Sequence, residues 1–302
     1  MIRNSVYLLV ELALLFLVVA TMVEFGQRRL GAQRLRAWMG GPPVVAALKG
    51  IGVGFITPFC TFSALPLLVG LRRAGVTPAG YVAFIVAAPV LDPVLFGALA
   101  IIVGLPAALT YVAIAFTAAM GLALLSEQFD IERLLLPATL VAATDSGASS
   151  TRGEHNQPDD PWMGPAAELR AAGREAIVLM RRLGPVLVLG VLIGTSLEAL
   201  VPPGAVADIA GANSGLAIPA AAALGTPLYF STELFVPIAD SLQGAGVGIG
   251  AIVALTIAGA GANIPEFLLL SKLAHRQLVV IFVGYVFLVA VIGGLVAQVV
   301  AA

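Results

Sequence analysis

Residues 57–75 read TPFCTFSALPLLVGLRRAG, and the placement of this stretch decides the fold. Its first ten residues hold two prolines, Pro58 and Pro66, and four small hydroxyl or thiol side chains, Thr57, Cys60, Thr61 and Ser63. Proline removes an amide donor and disfavours continuous helix, whereas threonine and serine hydroxyls can satisfy freed backbone groups or cap a new helix. The stretch therefore reads as a break inside an apolar segment running from about 44 to 71.

The surrounding chain is a membrane protein. Its 302 residues are 60% hydrophobic and 11% charged, with a mean hydropathy of +1.02, which excludes a soluble globular domain. A spanning helix needs about 20 mostly apolar residues, and charge-free windows such as 93–126 and 277–302 exceed that length, so helices rather than a barrel are implied. Apolar segments fall near 5–25, 44–71, 79–104, 107–126, 178–201, 214–242, 247–270 and 278–300. The first lacks a small-residue cleavage pattern before its arginines and reads as a retained helix. One cysteine excludes an internal disulfide and a multi-cysteine metal site, and the two histidines lie in or beside polar segments.

Three anchors recur in order. TMVE at Thr21 matches TSLE at Thr195, TPF at Thr57 matches TPL at Thr226, and AGV at Ala74 matches AGV at Ala245, at offsets of 174, 169 and 171 residues. The same registration sets Asp92 opposite Asn263, each seventeen residues after the glycine of its AGV. The expected organisation is a first transmembrane repeat at 1–126, a polar cytoplasmic linker at 127–176 rich in Ser, Gly, Asp and Pro, and a second repeat at 177–302.

Charge placement orients the repeats. The short basic clusters are Arg28, Arg29, Arg34 and Arg36, then Arg72 and Arg73, then Arg181 and Arg182, then Lys272 and Arg276. If 44–71 crossed the membrane, the first two clusters would lie on opposite sides, against the positive-inside rule. If 44–71 and 214–242 each dip in and return, fifteen of the sixteen basic residues become cytoplasmic, Arg3 being the exception. The fold expected is an all-α integral membrane protein with an inverted-topology repeat, about six spanning helices and two re-entrant helical hairpins; eight spanning helices is the alternative. Inverted repeats are typical of secondary transporters, whose sites lie near the bilayer midplane.

Each repeat offers a hairpin tip and a second broken element. The tips give the expected substrate path: Thr57, Pro58, Cys60, Thr61 and Ser63 in one, and Thr226, Pro227, Tyr229, Ser231 and Thr232 in the other. The broken elements AAPVLDPV and GAGANIPEF hold Asp92, Asn263 and Glu266, which, with Glu233 after the second tip, are the expected ion-coupling residues. An acidic side chain deep in a bilayer costs roughly 3 kcal/mol on insertion scales and usually serves a substrate, ion or proton path. The plainer reading of Asp92 is a helix-end carboxylate bound to local amides, and that of Glu233 a helix cap. A thiolate at Cys60 would bind soft solutes, whereas a buried cysteine is most often a small hydrophobe. No phosphate loop, G-x-S-x-G, H-E-x-x-H or dinucleotide fingerprint points to an enzyme, and nothing calls for a cofactor, a metal centre or nucleic acid.

TPFCTFSALPLLVGLRRAG, AFIVAAPVLDP and TPLYFSTELFVPIADSLQGAGVGIGA together resemble the ArsP-type permease family, which includes bacterial exporters of trivalent organoarsenicals and related predicted permeases. The resemblance covers most of the chain apart from the linker. It implies a multi-pass bacterial inner-membrane permease that exports a solute such as a trivalent organoarsenical, with proton exchange and with Cys60 near the path. Family members commonly carry a second cysteine two positions after the first; Phe62 stands there, which weakens the case for thiol-based arsenical chemistry. Other functions left open are a metal-ion exporter, an ion channel with re-entrant tips lining a filter, and a membrane subunit of a larger complex. The lipid bilayer and a small solute or ion are the expected partners, and glycine-rich faces such as GAGVGIG permit a homo-oligomer.

Overall fold

The computed structural model describes residues 2–30, 32–56, 61–129, 135, 164–200, 216–227 and 232–301. Among them the regular elements are thirteen α-helices, with one isolated bridge between Leu135 and Ala274. In the first half these are α1 (Ile2–Leu30), α2 (Ala32–Met39), α3 (Pro43–Ile56), α4 (Thr61–Arg73), α5 (Pro78–Val90), α6 (Pro93–Ile102) and α7 (Leu105–Gln128). In the second they are α8 (Pro165–Leu200), α9 (Ala217–Gly225), α10 (Thr232–Gly244), α11 (Ile249–Gly261), α12 (Ile264–Leu273) and α13 (Arg276–Ala301). Helix α8 begins inside the stretch expected to be linker.

The halves match element by element. Helices α4 and α10 have 13 residues each, α5 and α11 have 13, and α6 and α12 have 10. Each begins 171 residues after its counterpart, as α13 does after α7. The AGV anchors now have a physical cause. Gly75 (φ 74°) and Gly246 (φ 83°) take the left-handed conformation that ends α4 and α10. The amides of Gly75 and Val76 donate to Arg72 and Leu71 carbonyls, and those of Gly246 and Val247 to Gln243 and Leu242, all at 3.0 Å. The following valines, Val76 and Val247, are buried. Matched clamps close each half: the Ala79 amide donates to Glu127 Oε1 at 2.8 Å, and its counterpart Gly250 to Gln298 Oε1 at 2.9 Å. Each clamp satisfies an otherwise orphaned amide at a helix N-terminus.

One registration differs from the sequence expectation. A Cβ on Gly54 would lie 2.9 Å from the Ala88 amide nitrogen and 3.0 Å from the Ala87 Cβ; on Gly225 it would lie 3.3 Å from the Gly259 nitrogen and 3.0 Å from the Ala258 Cβ. Gly225 and both its neighbours stand 171 residues after Gly54 and its neighbours. The offset is thus the same on both sides of the tips, so Thr226 corresponds to Phe55 and not to Thr57. Close helix approach at glycine fixes the register, and the TP dipeptides do not.

Packing fixes the direction of the limbs. Gly80 lies against Ala46, Gly50 against Gly80 and Ala83, and Gly54 against Phe84 and Ala87, so α3 and α5 run parallel. Helix α4, which joins the end of α3 to the start of α5, therefore runs opposite to both. Helices α7 and α13 pack antiparallel: Ile114 meets Gly293, while Ala118 and Gly121 meet Tyr285. In a bilayer the hydrophobic effect does not press helices together, so this close contact of small residues is what binds them. Burial separates centre from rim. The Ile249–Leu268 window is 76% buried, against 28% for α7 and for α13, and the outer face of α13 carries Val280, Ile281, Leu288 and Ile292. Among the described residues three helices are long and apolar enough to cross a membrane, or five if each bent pair, 33–56 and 78–102, is one span.

Candidate functional site

The breaks at the centre of each half follow from proline. Pro93 opens α6, and a residue preceding proline is pushed to extended backbone, where Asp92 lies (φ −78°, ψ 124°). The Asp92 carboxylate Oδ1 accepts the Val94 amide at 2.9 Å, an N-cap. Asn263, extended at φ −86° and ψ 163°, caps α12 in the same way, its Oδ1 accepting the Glu266 amide at 2.9 Å. The two caps differ in reach, Asp92 taking the amide two residues on and Asn263 the one three residues on, and in what closes the preceding helix. Asn263 Nδ2 also donates to the Gly259 carbonyl at 3.3 Å, so one buried amide closes both sides of its break. Aspartate has no such donor. In the first half the carbonyl of Val90, the last residue of α5, instead accepts the Tyr111 hydroxyl. Asp92 is half-buried beside the exposed Pro93 and Val94, whereas Asn263 and Glu266 are buried.

The breaks meet. A Cβ on Gly261 would lie 3.2 Å from Val90 Cγ2, and Gly261 is the counterpart of Val90 at the offset of 171. Asp92 and Asn263, each two residues further on, therefore lie close to this contact between the halves. Contacts across the halves follow the same symmetry: α6 packs against α10, and α4 against α12. The α6 and α12 N-termini bring partial positive charge to this region, next to one carboxylate and one neutral amide. Polar groups of both halves thus come together at this centre.

Of the substrate-path residues, Thr57, Pro58, Cys60, Tyr229 and Ser231 lie outside the described residues. Thr61 and Ser63 fall in the first turn of α4, and Thr232 and Glu233 in the first turn of α10, the limbs that meet α12 and α6. Thr226 ends α9, and its hydroxyl donates to the Ala222 carbonyl at 2.9 Å; Pro227 follows in a turn. Among the described residues no group of three or more His, Cys, Asp or Glu is placed to hold a metal ion. The sequence reading missed Tyr111 and the Glu127 and Gln298 clamps. Tyr111 stands in an apolar run with only its hydroxyl to mark it. The clamps carried a readable signal, since Glu127 and Gln298 stand 171 residues apart, like the AGV motifs.

A family model described as ArsP_1, predicted permease, matches residues 3–299. A curated relative, UPF0718 protein MJ0584 of Methanocaldococcus jannaschii, is 33% identical over 127 residues, which cover 42% of this chain and 35% of the relative. The match thus spans about a third of that relative's length. No solved structure matches.

Proposed function

We propose, from the premise that this chain belongs to the ArsP_1 family of predicted permeases, that it is a secondary transporter working by alternating access. The family and the apolar helices support a multi-pass membrane permease and favour a transporter over an enzyme. In this reading the two repeats are inverted, the α3–α4 and α9–α10 pairs are re-entrant, and the solute binds between the broken helices. Rocking of one repeat against the other opens that site to either side. The antiparallel packing of the counterparts α7 and α13 supports the inversion. Helices α3 and α4, 14 and 13 residues long, rise about 20 Å each, short of a core about 30 Å thick, which supports re-entry. The substrate path follows Thr57, Pro58, Cys60, Thr61 and Ser63 and Thr226, Pro227, Tyr229, Ser231 and Thr232. The cargo is a small thiophilic solute such as a trivalent organoarsenical, exported from a bacterial cytoplasm across the inner membrane, with the linker on the cytoplasmic side.

The observation that carries the coupling hypothesis is the pairing of Asp92 with Asn263 beside the contact of Val90 with Gly261. The same cap is built once with an ionisable side chain and once with a neutral one. A cap needs only the oxygen, so the ionisable character of Asp92 is what this reading assigns to coupling. Glu266 and Glu233 stand in the first turns of α12 and α10 as secondary candidates. The test is solute flux in proteoliposomes under an imposed proton gradient. Asp92→Asn keeps the oxygen that caps α6 and gives the side chain found at Asn263, so folding is expected to be retained while acceleration by the gradient disappears. Full gradient response in folded Asp92→Asn would overturn the coupling. A growth-protection panel of arsenicals, antimonials and divalent metals, repeated with Cys60→Ser, tests the cargo; equal protection by the serine variant removes the thiol from the path.

A further inference from the structure

Helix α2 lies outside the transport reading and has a chemistry of its own. It is bent by 103° from α3, the limb that packs parallel to the central helix α5. A helix nearly perpendicular to a membrane-entering limb lies along the membrane surface. Its sequence AQRLRAWM is amphipathic: Leu35 and Met39, one turn apart, are buried, while Gln33, Arg34, Arg36 and Trp38 are exposed, Trp38 at 59%. Arg34 and Trp38, one turn apart, flank the buried stripe on one side and Arg36 flanks it on the other; arginine and tryptophan beside a buried stripe are what an in-plane helix presents to the headgroup layer.

The charge along the chain through α2 has one sign. From Phe25 to Leu91 there is no Asp or Glu, against seven basic residues. The elements packed on α2 are α1, α3 and α4, and their acids are Glu11 and Glu24 of α1 alone. The Arg36 side chain also lies over the turn that follows Arg72 and Arg73, its Cδ and Nη1 3.7 Å from where a Cβ on Gly75 would stand. In the second half, the sequence between α8 and α9, residues 201–215, carries no basic residue and one aspartate. The repeat therefore conserves the transport elements and departs in charge here.

We propose that the exposed face of α2, with the adjoining turn at Gly75, binds the headgroups of anionic phospholipids. Arg34 beside Trp38 and Arg36 over the Gly75 turn each take a headgroup phosphate, and Trp38 seats at the boundary between headgroup and acyl chain. Juxtamembrane arginines near an anionic surface each strengthen binding by about fivefold. The inference does not depend on the solute or on proton coupling.

The test uses the full chain in vesicles with Trp162→Phe, which leaves Trp38 as the only tryptophan. Quenching of Trp38 is titrated with brominated phosphatidylglycerol or brominated phosphatidylcholine in a phosphatidylcholine bilayer. The expected result is a several-fold preference for the anionic lipid at Trp38. Arg34→Gln with Arg36→Gln should abolish it, and Arg34→Lys with Arg36→Lys should keep it. Equal quenching by both lipids in the parent protein, or an undiminished preference in the glutamine variant, overturns the proposal. Inorganic phosphate at matched ionic strength should not compete; competition would mark a free-anion site and overturn the assignment to lipid.

Discussion

Replacing Gly50 by alanine tests the contact from which the direction of the hairpin follows. A Cβ at Gly50 would collide with the Gly80 carbonyl oxygen and lie 3.0 Å from the Ala83 Cβ and 3.1 Å from the Phe84 nitrogen. Two of those three atoms are backbone, so no rotamer change relieves the overlap and α3 must move off α5. Overpacking of this kind costs about 1–3 kcal/mol, and a rigid backbone partner places it toward the upper end. Alanine in a helix interior returns roughly 1 kcal/mol relative to glycine. The net expected for Gly50→Ala is a loss of about 1–2 kcal/mol. Gly52 in the same helix supplies the control, because a Cβ there meets nothing within 4 Å, and Gly52→Ala should gain up to about 1 kcal/mol. At about 2–4 °C per kcal/mol, the apparent Tm values of the two variants should differ by roughly 5–10 °C. Fluorescence-detected size-exclusion chromatography after stepwise heating in detergent measures this on unpurified protein. If Gly50→Ala proves as stable as Gly52→Ala, α3 and α5 are not in close parallel contact, and the requirement that α4 turn back is lost.

Two further outcomes separate parts of the structure. Asn263→Ala removes the acceptor for the Glu266 amide and the donor to Gly259 in a buried site, and should cost about 1–2 kcal/mol; Asn263→Asp keeps the cap oxygen and should lose less, as differential thermal stability in detergent would reveal. In a Cys60→Ser background, Arg72→Cys should react with a membrane-impermeant maleimide only after the cytoplasmic side is opened. Labelling from the outside of intact cells would defeat the re-entrant hairpin.

Much of the fold was legible because its signals are local. Hydropathy and charge content alone identify a helical membrane chain, since no short-range alternative hides 60% hydrophobic residues. The AGV motifs marked the repeat because a helix stop needs glycine at one left-handed position, whatever surrounds it. Pro93 and Pro265 likewise marked the breaks, and the registration of Asp92 with Asn263 survived as a matched pair of caps. The TP dipeptides misled: they look alike, but nothing in their local chemistry ties them to one depth.

The sequence by itself therefore determined the class of the protein, the existence of the repeat and the places where its helices stop. Only the tertiary structure decided that Gly54 and Gly225 set the register of the tips, that Val90 touches its own counterpart Gly261, and that α6 and α4 pack across to the limbs of the opposite half. It also decided that a tyrosine hydroxyl from α7 closes one break while an asparagine amide closes the other. The physical reason is distance along the chain. Helix stops and caps are settled by neighbours within a turn or two, whereas contacts made 21, 48 or 167 residues apart depend on how whole helices pack. In lipid that packing is set by which small side chains let backbones approach, a property of pairs of helices that neither one displays alone.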